Sequence, residues 1–319
     1  MILLDRFGPI PDAARGASLA LGNLDGFHRG HAAVLEAARA AAQGGPWGAA
    51  VFEPPPRRFF QPDAPPFRLM SAGLRREAAA GQGLDVLAEI PFDATLAAMT
   101  PDAFCARVLV DWLGVRHVVI GFDFRFGKDR AGDAAALKAQ GAALGFGVTV
   151  LDEIACDDGS KISSSRIRAA LEAGRLAEAN ELLGAPWRVD GVVQAGDQRG
   201  RTIGFPTANL RLGDQLHPCF GVYAIRADIG DGVARPGVAN FGRTPTVGAR
   251  APLLEVNLFD FDGDLYGRRI IVSFLAFLRP EQRFESLDAL KAQIAADADA
   301  ARGILAPSPH SPALLSGGG

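Results

Sequence analysis

The pattern of apolar segments changes once along the chain, near residues 184–188, and this change constrains the fold more than any single motif does. Before it, short apolar runs alternate with Ala- and Leu-rich segments of helical length. After it, short apolar runs follow one another, broken by Gly, Pro and Asp, until one helical segment near the end. Because 319 residues exceed the length of a typical domain, we expect two differently built domains, 1–184 and 185–305.

The first half is expected to be an α/β domain with a doubly wound parallel sheet, since alternating strands and helices place helices on both faces of such a sheet. The predicted strands are Ser18–Leu21, Gly48–Phe52, Asp85–Ile90, His117–Ile120 and Gly147–Leu151. The predicted helices are His31–Ala42, Leu69–Ala80, Pro101–Leu113, Ala134–Leu144, Ser164–Ala173 and Leu176–Leu183. Ligands of such sheets bind at the carboxyl ends of the strands, near the point where the strand order reverses.

The second half is expected to be an antiparallel β-barrel with one helix packed outside it, because its strands lack intervening helices. The predicted strands are Trp187–Gln194, Phe220–Asp228, Gly237–Phe241, Leu253–Phe261 and Arg269–Leu278. A helix is predicted over Ser286–Arg302, where Ser286 is suited to cap it. The segment 306–319 is rich in Pro, Ser and Gly and is predicted to be disordered.

Composition limits the partners of the chain. A net charge of −3 argues against a nucleic-acid-binding surface, and no apolar run reaches the roughly 18 residues of a membrane span. The three cysteines lie far apart without a CxxC pair, which favours a reducing compartment over a disulfide framework. We therefore expect a cytoplasmic protein whose partners are small molecules, with no nucleic acid and no membrane. Whether it forms a homo-oligomer stays open.

The stretch LGNLDGFHRGH, residues 21–31, follows a predicted strand and leads into a predicted helix. Unpaired N–H groups and the helix dipole favour phosphate at such a helix start, and glycines permit close backbone approach. Histidines can then donate hydrogen bonds to phosphate oxygens. The alternative is a turn shaped only by its Asn and Asp, with two half-buried histidines beside it. The candidate phosphate-binding residues are Gly22, Asn23, Asp25, Gly26, His28 and His31.

A second candidate phosphate site lies in GDQRGRTIGFPTANL, residues 196–210. It contains a glycine-rich segment followed by a hydroxyl and an amide, which are neutral oxygen ligands suited to Mg²⁺. The alternative is an arginine-bearing hairpin loop that leads into a strand. Further along, LLEVNLFDFDGDLYG (253–267) carries Glu255, which without other information could be an exposed strand carboxylate.

The first-half motifs together resemble a known enzyme module. GNLDGFHRGH resembles the HxGH motif of nucleotidyltransferases. With VFEPPPRRFF (51–60), GFDFRFGKDRAGD (121–133) and ISSSRIRAAL (162–171), it is similar in order and spacing to the adenylyltransferase module of bacterial bifunctional riboflavin kinase/FMN adenylyltransferases. The resemblance implies that the two histidines stabilise a transition state at the α-phosphate of ATP. It further implies pyrophosphate contacts from Ser164 and Arg168, and flavin contacts from Asp123, Phe124 and Arg125.

The second-half motifs resemble the riboflavin kinase module of the same family. PTAN (206–209), GVYAI (221–225), GVANFGRTPTV (237–247) and the segment around Glu255 occur in the same order. The resemblance implies a six-stranded antiparallel barrel with a C-terminal helix, and a general-base role for Glu255 on the ribityl 5′-hydroxyl of riboflavin. It implies that Thr207 and Asn209 hold Mg²⁺. The implied ATP-binding residues are Gly200, Arg201, Gly204, Thr207 and Asn209.

The resemblance as a whole implies synthesis of FMN from riboflavin and ATP, followed by synthesis of FAD and pyrophosphate from FMN and ATP, with Mg²⁺ in both steps. Three alternatives stay open. Pro55 stands where the family usually has His, so the chain could be a riboflavin kinase with an impaired first domain. It could be a non-catalytic flavin- or nucleotide-binding regulator. It could also adenylylate another acceptor, such as pantetheine phosphate or nicotinamide mononucleotide.

Overall fold

A computed structural model of the chain describes residues 1–154, 159–194, 206–242 and 252–306. The chain forms two compact units, one of Met1–Arg166 and Leu182–Gly184, the other of Ile167–Glu181 and the residues from Ala185 onward. Gly200, Arg201 and Gly204 lie outside the described residues, as does the predicted disordered segment 306–319 except for its first residue. Within the described ranges, no helix combines the length and the apolar character needed to cross a membrane.

The first unit is built on a six-stranded sheet whose neighbouring strands all run parallel, which confirms the predicted fold class. Its strands are β1 (Ile2–Leu4), β2 (Ser18–Leu21), β3 (Trp47–Glu53), β4 (Val86–Pro91), β5 (His117–Gly121) and β6 (Gly147–Leu151). Their order is β1-β4-β3-β2-β5-β6. After β2 the chain adds strands to one side of the sheet, and with β5 it starts on the other side. The switch point therefore lies between β2 and β5.

Helices cover both faces of this sheet. The helices of the first unit are α1 (Arg29–Ala42), α2 (Pro56–Phe60), α3 (Ala72–Gly81), α4 (Ala94–Ala97), α5 (Pro101–Phe104) and α6 (Ala134–Leu144). Two further helices, α7 (Ser164–Glu172) and α8 (Leu176–Leu183), lie mainly in the second unit. Val51 of β3 shares one apolar core with Leu35 of α1. The next residue, Phe52, shares a second core with Phe104 of α5 and Leu137 of α6. Because successive strand residues point to opposite faces, the two cores lie on the two sides of the sheet.

Several first-half elements differ from the predictions. The α3 helix begins at Ala72 rather than Leu69, because Ser71 has an extended backbone and caps the helix by accepting the N–H of Leu74. The predicted helix Pro101–Leu113 is α-helical only through α5 and continues in wider π-helical turns over Cys105–Trp112. β1 and α2 were not predicted, since runs of three and five residues carry too little periodicity to be recognised.

The second unit contains a closed six-stranded antiparallel barrel, which confirms the predicted architecture. Its strands are β7 (Trp187–Gln194), β8 (Ala208–Leu210), β9 (Gly221–Asp228), β10 (Ala234–Gly242), β11 (Leu253–Leu258) and β12 (Arg269–Pro280), in the order β10-β11-β8-β7-β12-β9. Trp187, Tyr223 and Phe274 pack together in its core, with ring centroids 4.9–5.0 Å apart. The three-residue β8 was not predicted as a strand.

One helix, α9 (Leu287–Leu305), packs against the barrel. Ser286 caps it by accepting the N–H of Ala289 at 3.1 Å, which confirms the predicted cap. Its Ala301 and Leu305 share an apolar cluster with Val222 and Ala224 of β9. The helix therefore covers apolar side chains of the barrel that would otherwise face water.

The packing of β3 against β4 generates a prediction about stability. A Cβ at Gly48 would overlap the backbone carbonyl of Val86, whereas one at Gly81, the last residue of α3, would meet nothing within 4 Å. We expect Gly48→Ala to destabilise the protein by about 1–3 kcal/mol, because two paired strands must move apart. The matched control Gly81→Ala should stabilise it by about 0.4–1 kcal/mol. Urea unfolding of both variants checks this, and equal midpoints would contradict it.

Candidate active sites

The glycine–histidine turn of the first unit leaves β2 at the switch point and leads directly into α1. His28 is the residue that caps this helix, and its Nδ1 accepts the backbone N–H of His31 at 3.3 Å. An imidazole nitrogen that accepts a hydrogen bond carries no proton, so in the neutral ring the proton lies on Nε2. The cap therefore leaves the outer nitrogen of His28 as a hydrogen-bond donor.

The two histidines form one unit at the start of α1. Their rings stack with centroids 3.5 Å apart and planes 18° apart, and His28 is only 5% exposed. A side chain at Gly30 would place its Cβ 3.1 Å from Nδ1 and Cε1 of His28. Glycine at this position thus lets the first imidazole lie against the helix start, which gives a physical reason for the HxGH spacing.

The turn before His28 has an unusual backbone that its surroundings hold in place. Gly26 has a φ of +95°, and a Cβ there would come within 2.8 Å of the Leu69 side chain. Leu24 and Phe27 also have positive φ values, 44° and 42°, although both carry large side chains. Such conformations cost about 1–3 kcal/mol each and persist only when the surrounding packing enforces them. Both side chains are buried, which provides that packing.

Two of the predicted nucleotide-binding residues hold this turn in the structure. Both carboxylate oxygens of Asp25 accept the backbone N–H of Leu69, at 2.9 and 3.1 Å. Ser164, at the start of α7, donates its hydroxyl to the carbonyl oxygen of Asp25 at 2.9 Å. The structure thus brings Ser164 to the turn, as expected from the motifs. The role of either residue toward ATP stays a prediction.

The remaining predicted ATP residues of this site are Gly22, Asn23 and Arg168. Gly22 and Asn23 follow β2 directly, and Asn23 is exposed. Arg168 lies four residues beyond Ser164 on α7, in the stretch that groups with the second unit. Their contacts with nucleotide stay predictions.

The predicted flavin residues Asp123, Phe124 and Arg125 lie in the loop after β5, beside the switch point. Both charged side chains are exposed and form ion pairs, Asp123 with Lys161 at 3.5 Å and Arg125 with Asp133 at 3.3 Å. The ring of Phe124 stacks on that of Phe126, with centroids 5.7 Å apart. The flavin role of all three stays a prediction.

Lys161 is a charged residue of this region that the motif analysis did not single out. Its ammonium lies 3.2 Å from Glu153 and 5.0 Å from the centroid of the Phe122 ring, in addition to its pair with Asp123. The hydrogen bond to Glu153, together with the charges of both carboxylates, raises the pKa of Lys161. It therefore stays positively charged beside the loop that follows β5. Lys161 directly precedes ISSSR in the sequence. This position indicates a role in the site only when the start of α7 at Ser164 is known.

A connected series of aromatic rings runs through the same edge of the first unit, and the sequence analysis missed it. Phe59 and Phe60 of α2 are 37% and 63% exposed, and both lie against Phe92, at 5.5 and 5.8 Å between ring centroids. The series, in order of contact, is Phe60, Phe59, Phe92, Phe52, Phe104, Phe126 and Phe124. The exposed rings of Phe59 and Phe60 pack edge to face on each other and on the partly buried Phe92, and together they form an apolar surface. The two adjacent phenylalanines of RRFF, residues 57–60, are the sequence feature that could have indicated this aromatic surface.

In the second unit, strand register places Glu255 in a row of polar residues. Asn209 of β8 lies directly opposite Glu255 of β11, and Asn240 of β10 lies opposite it on the other side. Gln194 of β7 lies opposite Asn209 and extends the row to four adjacent strands. Directly opposite residues have Cβ atoms about 5 Å apart, so neighbouring side chains of the row can contact the same ligand. The sequence analysis missed Asn240 and Gln194, because only the barrel register relates them to Glu255.

The burial pattern shows that this row lies on the face of β11 turned away from the core. Leu254 and Val256, which flank Glu255, are 0% and 1% exposed, whereas Glu255 is half-buried. Asn209 is 8% exposed. A carboxylate and a buried amide side by side form a polar patch rather than an isolated surface charge.

Asn257, which stands where the family often has His, contacts the predicted metal-binding segment. Its amide nitrogen donates to the backbone carbonyl of Pro206 at 2.7 Å and thereby holds the residue before Thr207. Thr207 is half-buried and lies two positions before Asn209, a spacing at which extended residues share one face. Among the described residues, no three or more His, Cys, Asp or Glu side chains gather as a metal site. Any metal here would need neutral oxygens and ligand phosphates as its donors.

The matches to known families divide the chain as the two folds do. Residues 10–166 match the family model described as FAD synthetase, and residues 183–305 match the model described as riboflavin kinase. A crystal structure from Streptococcus pneumoniae, described as a macrolide-efflux protein, has a similar fold. Its TM-score is 0.80 at 31% sequence identity, covering 94% of this chain and 98% of that one.

Two curated relatives cover almost all of the sequence. A bifunctional riboflavin kinase/FMN adenylyltransferase from Pseudomonas fluorescens is 45% identical over 93% of this chain and 95% of its own length. A protein of the same name from Escherichia coli (strain K12) is 43% identical over 90% of this chain and 92% of its own length. The chain belongs to the family of bifunctional riboflavin kinase/FMN adenylyltransferases.

Proposed function

We propose that the chain makes FMN from riboflavin and ATP in residues 185–305, and FAD from FMN and a second ATP in residues 1–184. The observation that supports this proposal is that each unit has its own cluster of polar side chains suited to group transfer. The first holds a capped and stacked histidine pair at a sheet switch point. The second holds a half-buried carboxylate in register with a buried amide. The curated relatives are named for both activities, which supports this scheme over a riboflavin kinase whose first unit is inactive.

In the kinase step, Glu255 accepts the proton of the ribityl 5′-hydroxyl of riboflavin as its oxygen attacks the γ-phosphorus of ATP. The bond between that phosphorus and the oxygen bridging to the β-phosphate breaks, and ADP leaves. Asn209, directly opposite Glu255, is placed to hold the phosphates near the base. The proposed contacts of Gly200, Arg201 and Gly204 with ATP fall on residues outside the described ranges.

Mg²⁺ fits the residues that lead into β8. Thr207 and Asn209 supply a hydroxyl and an amide oxygen, Mg²⁺ prefers oxygen donors, and Glu255 adds a carboxylate nearby. When bound, the ion would neutralise charge on the ATP phosphates. Asn257 supports this segment through its hydrogen bond to Pro206.

In the adenylyl-transfer step, a phosphate oxygen of FMN attacks the α-phosphorus of ATP. The bond from that phosphorus to the oxygen of the β-phosphate breaks, and pyrophosphate leaves. His28 donates from Nε2 to the oxygens that gain charge in the transition state, and the stacked His31 lies beside it. The helix dipole and N–H groups at the start of α1 favour the same anionic oxygens.

The exposed aromatic rings of the first unit are suited to the flavin ring of FMN. Phe59 and Phe60 are partly exposed to solvent and pack edge to face on Phe92, which holds them in place. An isoalloxazine ring is flat and largely apolar, so it gains by stacking on such a surface. Phe124, at the other end of the aromatic series, lies on the loop predicted to contact flavin.

We further propose that these reactions take place in the cytoplasm. The described cysteines, Cys105 and Cys219, are free thiols. Burial, with a smaller contribution from the charge of Asp102, raises the pKa of Cys105 to about 12, so that this thiol is unreactive. Both features fit a reducing compartment.

Glu255→Gln keeps the size of the side chain and removes its ability to accept a proton. We expect formation of FMN from riboflavin to fall by about 10²–10⁴-fold, because general-base catalysis is lost. Conversion of supplied FMN into FAD should keep its wild-type rate. Chromatographic separation of the flavins measures both steps in one preparation. Loss of the FAD step alone would reverse the assignment of the two sites.

His28→Asn separates the two roles of this residue, because asparagine is also a good helix cap. We expect α1 to stay folded and adenylyl transfer to fall by about 10²–10³-fold, since the imidazole donor is gone. Riboflavin supplied to this variant should accumulate as FMN. Product analysis and thermal unfolding are measured together, and wild-type FAD formation by a folded variant would exclude the proposed donor.

Phe60→Ala tests the proposed flavin surface. We expect the KM for FMN in adenylyl transfer to rise about two- to tenfold, the loss typical of one aromatic stacking contact. The control is Phe7→Ala, another exposed phenylalanine of the first unit, which packs on Trp112, a ring that is not part of the aromatic series. It should leave that KM unchanged. Equal effects of the two substitutions would argue against a flavin contact at Phe60.

A further inference from the structure

A buried network of two carboxylates and three guanidinium groups lies beside the first-unit site. Arg68 forms a two-pronged pair with Glu53, the last residue of β3, with both N–O distances at 2.9 Å. Arg75 of α3 bridges Glu53 and Glu89 of β4, at 2.6 Å to each. Arg76 donates to the other oxygen of Glu89. Glu53 lies within the VFEPPPRRFF motif, but the mechanism above assigns a role to none of these five residues.

Three of the five side chains of the network are almost fully buried, whereas the side chains of Glu53 and Arg76 are 26% and 41% exposed. Arg68, Arg75 and Glu89 are 7%, 3% and 1% exposed. Burial raises the pKa of Glu53, but the hydrogen bonds and charges of Arg68 and Arg75 outweigh it, and the net pKa lies below its usual value. Paired guanidinium and carboxylate groups with two parallel hydrogen bonds have a narrowly defined geometry. The Arg68–Glu53 pair therefore fixes the position of residue 68 against the end of β3.

Residue 68 is joined directly to the residue that holds the glycine–histidine turn. The N–H of Leu69 is bound by both carboxylate oxygens of Asp25, and the Leu69 side chain lies against Gly26. Arg68 and Leu69 lie between α2 and α3, where Arg68 forms an isolated β-bridge and neither residue belongs to a helix. The pair of Arg68 with Glu53 is thus one of the contacts that set the position of Leu69.

We propose that Arg68 is a positioning residue for adenylyl transfer: paired with Glu53, it sets the place of the Leu69 N–H, which through Asp25 sets the turn that carries His28. This inference rests on the proposed function of the first unit. A small displacement of a catalytic group can lower a rate severely, because the reacting atoms must be aligned before reaction. Arg68 itself needs no contact with ATP or FMN for this effect.

The test compares Arg68→Met with Arg76→Met in the full chain. Each substitution removes one guanidinium and leaves its carboxylate paired with Arg75, although the Arg68 side chain is 8% exposed and that of Arg76 is 41% exposed. Only Arg68 adjoins Leu69. Arg68→Lys keeps the charge but loses the two-pronged geometry, and it covers the case in which Met is poorly tolerated. Phosphorylation of riboflavin in each preparation shows that the second unit is intact.

For Arg68→Met we expect the kcat of adenylyl transfer to fall about tenfold or more, because the turn is misplaced, while the KM for FMN stays near its wild-type value. Hydrogen exchange of the Leu69 amide and of residues 22–31 should accelerate. Arg76→Met should retain the wild-type kcat and exchange, and Arg68→Lys should lie between. A purely structural role would instead lower the unfolding temperature of both Met variants without a selective change in the turn.

Equal kcat values for Arg68→Met and Arg76→Met, or unchanged exchange of residues 22–31 in Arg68→Met, would overturn the proposal. A failure of the proposed function can be distinguished from a failure of this inference, because the wild-type protein would then make no FAD from FMN and ATP. The exchange comparison does not depend on that reaction, so it decides the positioning role in either case.

Discussion

The reversal of strand order between β2 and β5 is the constraint on which the first unit depends. Connections on either side of this point lead in opposite directions, so no crossover covers the carboxyl ends of these two strands. The turn after β2 and the loop after β5 both open there. The start of α1 faces the same opening with its unpaired N–H groups, and His28 is held at that start by its own capping bond. Phosphate affinity and a fixed imidazole tautomer thus arise from one local arrangement.

In the second unit, strand register rather than a helix terminus positions the proposed catalytic residue. Closure of the barrel fixes which residues lie opposite one another, and a shift by one residue would turn Glu255 into the core and Leu254 out of it. The apolar residues of β11 therefore specify the position of the proposed base. Asn257 adds a tie to Pro206, next to the proposed metal ligand Thr207. The two units therefore position their proposed catalytic residues in different ways, one by a helix start and the other by strand register, although both act on phosphate groups.

The sequence correctly predicted the helices whose apolar pattern spans more than one turn and the strands whose apolar pattern spans several residues. It gave the bounds of β2, β6, β7, α6 and α8 as the structure has them, and the cap at Ser286. It failed where a long-range contact overrides local pattern. The N–H of Leu69 binds Asp25, 44 positions away, in a segment outside α3, and the helix begins only at Ala72 because Ser71 before it has an extended backbone and caps it. The same limit applies to the sites: motifs named His28 and Glu255, whereas Arg68 and Asn240 become relevant only through tertiary pairing and barrel register.

The most direct test of two separate sites on one chain is a mixing experiment with riboflavin, ATP and Mg²⁺. The variants Glu255→Gln and His28→Asn are each incubated alone and then together, and the flavins are separated. If each unit performs its own step, neither variant alone makes FAD at the wild-type rate. The mixture restores FAD formation, because FMN made by one variant is adenylylated by the other. A mixture that yields no more FAD than the single variants, with both proteins folded, would contradict the account.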